Sequence, residues 1–277
     1  MKAFMQRTTW ITWVTFLEAI RQRFFAFLIV LGGAMVLSSV AFRFMDFGHG
    51  ELKFVADFGF GGMFLFGSVL GVVMTAQLFF SEIDNRTALT LLAKPVSRAE
   101  FLLGKFFGTW LVLAIFVFVL SGLLGAVLWS RSIELNELAE KMGRLAPEFS
   151  PGGLVAFALL QWLRLGVVIA IVLTIASGAR TFLYAVVVGA LAVVAGQLQW
   201  IAQDVLLKPE GSVWYRGVLW VTSRLLPNLE QFNIGDALVL DPTSVPANAV
   251  VQVAISGLIY MVAFLMLGTA LFRRREI

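Results

Sequence analysis

The chain has 277 residues, of which 60% are apolar and only 14% charged, against about 25% charged in a typical soluble domain. A single water-soluble core cannot absorb that excess. The apolar residues gather in runs of about 20, the length that crosses roughly 30 Å of hydrocarbon, so the chain reads as an all-α integral membrane protein. The formal charge of +4 is no sign of nucleic acid, because the basic residues stand at the ends of apolar runs, where they set orientation.

With no cysteine and one histidine, His49, the chain cannot assemble a disulfide, a thiolate metal site, a His-x-x-x-His pair or a Ser–His–Asp triad by itself. Neither a metal site nor a catalytic residue is expected. The phosphate-loop pattern is missing as well: Gly104-Lys105 is followed by Phe106 and lacks the upstream glycine. Any ATP-driven action must therefore borrow its ATPase from another polypeptide.

In chain order, residues 1–23 are too polar in their first half to be a cleaved signal peptide. Trp10, Trp13, Val14, Leu17, Ile20 and Phe24 recur at three- and four-residue steps, with Thr8, Thr12, Thr15, Glu18 and Gln22 opposite. This predicts an amphipathic helix over 4–23, lying in the membrane interface with its tryptophans toward lipid; the alternative is an extension of the first span. Six spans follow, at 24–42, 58–80, 106–128, 154–176, 182–200 and 248–272. With the N-terminus inside, the inner segments hold 12 Lys/Arg against 5 Asp/Glu, and the outer loops 43–57, 129–153 and 201–247 hold 8 against 12. That bias favours an N-in/C-in arrangement.

The inner loop 81–105 carries two capping-box patterns, Ser81-x-x-Asp84 and Ser97-x-x-Glu100, in which hydroxyl and carboxylate satisfy unpaired backbone N–H groups. Two helix starts are expected there. The first helix should stop near Ala93, because Pro95 disfavours helical backbone at Lys94, and the second should run into the third span. Outside, 133–145 is helix-prone. The last outer loop embeds Trp214, Trp220, Leu225 and Leu226 among polar residues, as short helices at the interface or as a small folded cap.

Within the spans, Gln161 and Arg164 stand near the middle of the fourth, where a charge costs about 2.5–3.5 kcal/mol. Arg164 either lines a polar path or meets an acidic partner, or it snorkels to the outer interface. The other five spans hold no clear ionisable residue, which argues against a proton- or sodium-coupled carrier. Gly67/Gly71 and Gly104/Gly108 are small-xxx-small steps that let helices approach closely, and packing within the chain is the simpler use of them.

Read together, Glu82-Ile83-Asp84-Asn85-Arg86-Thr87, Leu91 to Lys105, Arg21-Gln22-Arg23-Phe24-Phe25, Leu226-Pro227-Asn228-Leu229-Glu230-Gln231-Phe232-Asn233 and Phe272-Arg273-Arg274-Arg275-Glu276 resemble the ABC-2 type permeases. The likeness runs to the branch similar to the nitrous-oxide-reductase maturation permease. The resemblance implies a six-span half-transporter of the cell (inner) membrane, an exporter that forms a homodimer among membrane lipid and docks a cytoplasmic ABC ATPase, which brings the ATP and Mg. It also implies that the N-terminal helix is an elbow, and that a coupling helix between spans 2 and 3 presents Glu82, Asp84, Asn85, Arg86 and Thr87 to the ATPase, with Lys94 and Arg98 beside them. The last outer loop is longer than in the polysaccharide and drug exporters of the wider group. The alternatives are a mechanotransmitter acting on an extracytoplasmic partner, or a stand-alone carrier.

Overall fold

A computed structural model describes residues 2–44, 51–84, 97–142, 149–201, 214, 217, 226–241 and 243–274. Among these there is no strand. The helices are α1 (Lys2–Ile20), α2 (Arg23–Ser38), α3 (Glu51–Asp84), α4 (Arg98–Met142), α5 (Pro151–Gly178), α6 (Phe182–Gln197), α7 (Gly235–Leu240) and α8 (Ala247–Arg274). A 3-10 turn, Ser39–Phe44, extends α2, and another, Glu230–Phe232, precedes α7.

Among the described residues, five stretches are long and apolar enough to cross a membrane: Arg23–Ala41, Leu52–Ile83, Arg98–Glu137, Pro151–Gly178 and Ala247–Arg274. The expected fifth span is a shorter helix, α6, of 16 residues. At 1.5 Å per residue it reaches about 24 Å, less than the hydrocarbon thickness. Conversely, α4 has 45 residues and runs on without a break from the third apolar run to Met142. Helix α3 begins at Glu51, seven residues before the apolar run proper.

One correction concerns Ser81, which was expected to start a helix. It lies inside α3, and its hydroxyl donates back to Leu78 O at 3.4 Å, because the apolar run before it is already helical and no break separates them. The second capping box does form. Ser97 N donates to Glu100 Oε2 at 2.5 Å and Glu100 N to Ser97 Oγ at 3.2 Å, the reciprocal pair that starts α4. The predicted helix stop near Ala93 lies outside the described residues.

Helix α5 is the central post, buried from Leu160 to Leu173 except at the half-buried Trp162. Ser150 caps it, accepting from Gly153 N at 3.1 Å, with Pro151 at the first helical position, where its missing N–H costs nothing. Trp110 and Trp162 fasten α4 to α5: their rings stack at 4.1 Å, and each indole N–H donates to the other's backbone carbonyl, at 3.0 and 2.8 Å. Helix α8 lies on α5, with Gly257 against Leu163, Met261 against Gly166 and Gly268 against Thr174.

The two glycine pairs serve packing within the chain. A Cβ at Gly67 would stand 2.7 Å from Leu165, and Gly71 faces Leu113, Val168 and Ile169. Gly104 and Gly108 receive α1, where a Cβ would meet Ile11 at 2.4 Å and Thr15 at 2.6 Å. The threonine side of α1 therefore faces protein, with Thr15 and Ala19 buried, while Trp10, Trp13 and Val14 are exposed. The chain then breaks at Gln22, whose extended backbone turns it into α2.

Candidate functional site

Side-chain chemistry concentrates at one end of the bundle and midway along it. At one end the C-termini of α1, α3, α5 and α8 meet the N-termini of α4 and α6. Lys105, on the second turn of α4, is only 1% exposed there. Its ammonium lies 2.5 Å from Glu82 on α3 and 3.8 Å from Glu18 on α1, with the Phe101 ring 5.9 Å away. One buried cation thus joins three helices. Truncating a partner of such a pair leaves an uncompensated charge and costs about 3–5 kcal/mol.

The residues expected to face a partner are distributed around this cluster. Glu82 is turned to Lys105 and its side chain is 16% exposed. Asp84 closes α3. Arg98 opens α4 and donates from Nη1 to Phe272 O at 2.6 Å and Arg273 O at 2.9 Å, the last carbonyls of α8. Asn85, Arg86, Thr87 and Lys94 lie outside the described residues.

Midway along α5, Arg164 is 3% exposed. It stands 14 residues from the C-terminus of α5, and Gln197 stands 15 residues from the start of the antiparallel α6. Both therefore lie about 21–22 Å from the α5–α6 turn. At that shared level Arg164 Nη2 donates to Gln197 Oε1 at 2.5 Å and stands 3.8 Å from Glu230. Gln197 Nε2 in turn donates to Glu230 Oε2. The guanidinium carbon sits over Phe64 of α3, 3.6 Å from the ring centroid, a contact that grows in value as water is excluded. Gln161 accepts more weakly, at 3.5 Å. Arg164 therefore has an acidic partner in Glu230.

Glu230 is brought there by the segment 226–241, which folds into the bundle instead of standing off from it. Leu229 N donates to Gly196 O at 3.0 Å, and Ser150 N to Val239 O at 2.8 Å. Leu229, Phe232 and Val239 are buried, and Gly235 lies against Phe157 and Phe60. Asn228 Oδ1 accepts from Glu230 N at 3.0 Å and Glu230 Oε1 from Asn233 Nδ2 at 2.7 Å, which aims the carboxylate at Arg164. Beside this network an apolar cleft of about 340 Å³ opens between α3 and α6, lined by Phe64, Ser68, Val72, Val186, Val193 and Gln197 among others.

Reading the sequence missed Glu18, Glu230 and Gln197 as partners, and met Lys105 in the failed phosphate-loop match and at the end of the inner-loop motif. For Glu230 the signal was the conspicuous Leu-Pro-Asn-Leu-Glu-Gln-Phe-Asn stretch. For the others no local pattern marks the partner.

Several long apolar helices around an internally paired polar core define a multi-pass α-helical membrane protein. The profile of the ABC-2 family transporter proteins matches residues 9–277, and the chain belongs to that family. It is thus a membrane permease component of an ABC transporter, a class that works with an ABC ATPase. No curated protein matches the chain.

Proposed function

We propose that this chain is a six-span, N-in/C-in exporter permease of the cytoplasmic membrane, with α6 and the residues after it as the fifth span. It works as a homodimer, and the nucleotide and magnesium are held by a separate cytoplasmic ATPase. In this reading α1 is the elbow helix, its tryptophans in the inner interface. Asp84, Asn85, Arg86 and Thr87 meet the ATPase, with Lys94 beside them, while Glu82 and Arg98 bound the docking segment. By its inner-loop motif the chain resembles the branch similar to the nitrous-oxide-reductase maturation permease.

The observation that carries this is the Glu18–Lys105–Glu82 cluster. It ties the elbow and the exit of α3 to the entry of α4, so a force applied between residues 84 and 97 reaches three helices at once. Docking would deliver such a force. Replacing Asp84, Asn85 and Arg86 together with alanine should abolish co-purification of the ATPase while membrane insertion persists; retained co-purification would sink the docking assignment.

A second reading, a mechanotransmitter that moves an extracytoplasmic partner and carries no substrate, is favoured by one feature. The intramembrane polar groups Arg164, Gln161 and Gln197 bond to one another and to Glu230, and the neighbouring cleft is apolar. Cysteines placed along α3 and α6 of this cysteine-free chain decide between the two. A continuous line of labelling by a water-soluble maleimide supports export, and labelling confined to the ends supports transmission.

A further inference from the structure

The last four carbonyls of any helix lack partners within it. At the end of α8 two of them are taken by a side chain from a different helix, Arg98, whose Nη1 reaches both Phe272 O and Arg273 O. A guanidinium at the negative end of a helix is favourably placed, and this one also lies 5.7 Å from the centroid of the Phe272 ring. Phe272 is fully buried. Its ring packs against Phe79 at 5.5 Å and Phe101 at 5.7 Å. Phe79 lies on the last turns of α3 and Phe101 on the first turn of α4.

Both limbs that flank residues 85–96 therefore close on the same aromatic ring, and the limb after them also holds the backbone of α8. Away from this end, α8 meets α5 along one stripe containing Gly257 and Gly268, with Thr174 Oγ1 donating to Phe264 O at 2.7 Å. Its opposite face, including Ile255, Ile259, Val262 and Met266, is exposed.

We propose that Arg98 and Phe272 form a latch through which movement of the α3–α4 connection is passed to the last helix, making α8 a driven element of the transport cycle. Arg98 is then a positioning residue: it sets the place of the α8 terminus and touches no substrate or nucleotide. The inference rests on the reading that an ATPase acts on the α3–α4 connection.

The experiment uses the permease bound to its ABC ATPase in lipid nanodiscs. Spin labels are placed at Leu271→Cys on α8 and Arg180→Cys at the α5–α6 turn, and in a second sample at Ala99→Cys on α4 with the same reference. Distances are read without nucleotide and with ADP–vanadate. Both pairs should shift in the parent protein. In Arg98→Gln, and separately in Phe272→Leu, the α8 shift should be lost while the α4 shift remains. An α8 shift that survives both substitutions overturns the latch, as does a parent protein in which α4 shifts and α8 does not; in those cases the ATPase reading stands. If neither pair responds in the parent protein, the ATPase reading fails and the latch falls with it.

Discussion

Glu230 and Arg164 occupy unequal positions: the guanidinium is nearly sealed from solvent, while the Glu230 side chain is 29% exposed. Losing the carboxylate strands a buried cation, whereas losing the cation leaves a carboxylate that water can reach. Glu230→Ala should therefore destabilise the protein by about 3–5 kcal/mol, and Arg164→Met by less. The double variant Arg164→Met/Glu230→Gln should regain most of the loss, since a hydrophobic replacement of a buried pair is often neutral or better. Unfolding in detergent checks this. Equal losses in Glu230→Ala and the double variant would show that the two residues are not coupled. Arg164 was recognisable from sequence because a charge inside an apolar run is conspicuous. Glu230 was not, because a carboxylate in a polar loop looks ordinary until the loop folds inward.

For the elements, the glycines decide how closely helices approach. A Cβ at Gly108 would lie 2.6 Å from Thr15 Cβ and 2.9 Å from Thr12 O, and the second of these is backbone that cannot turn aside. Gly108→Leu should push α1 off α4, at a cost of about 1–3 kcal/mol, and expose residues 2–20 to protease. Gly61 has nothing within 4 Å of an added Cβ. Gly61→Ala is the control and should be neutral or stabilising by about 0.5–1 kcal/mol. Unchanged proteolysis of Gly108→Leu would mean that the α1–α4 seam is not tight. The amphipathic pattern of α1 was plain in its Trp and Thr spacing, yet which face meets protein was less so. The polar face packs inward because Gly104 and Gly108 open a groove there, and the tryptophans are left exposed.

For the whole molecule, orientation is the property most open to direct test. The chain lacks cysteine, so single cysteines report without background. An impermeant maleimide applied to intact cells should label His49→Cys, and should reach Lys2→Cys and Arg180→Cys only after permeabilisation. Labelling of Lys2→Cys in intact cells would reverse the proposed topology.

Sequence by itself settled the membrane class, the placement of most long helices, the capping box at Ser97 and the lack of a phosphate-loop pattern within these 277 residues. Each of these follows from local properties: run length, residue spacing, or a missing motif. Only the tertiary structure decided that Ser81 continues a helix, that residues 226–241 fold back to supply Glu230 to Arg164, and that Lys105 is enclosed by Glu18 and Glu82. Those are pairings across 66, 87 and 23 positions of the chain, or the outcome of competition between a local cap and a longer apolar run. No spacing rule encodes them, since they depend on which helix faces come together once the bundle has closed.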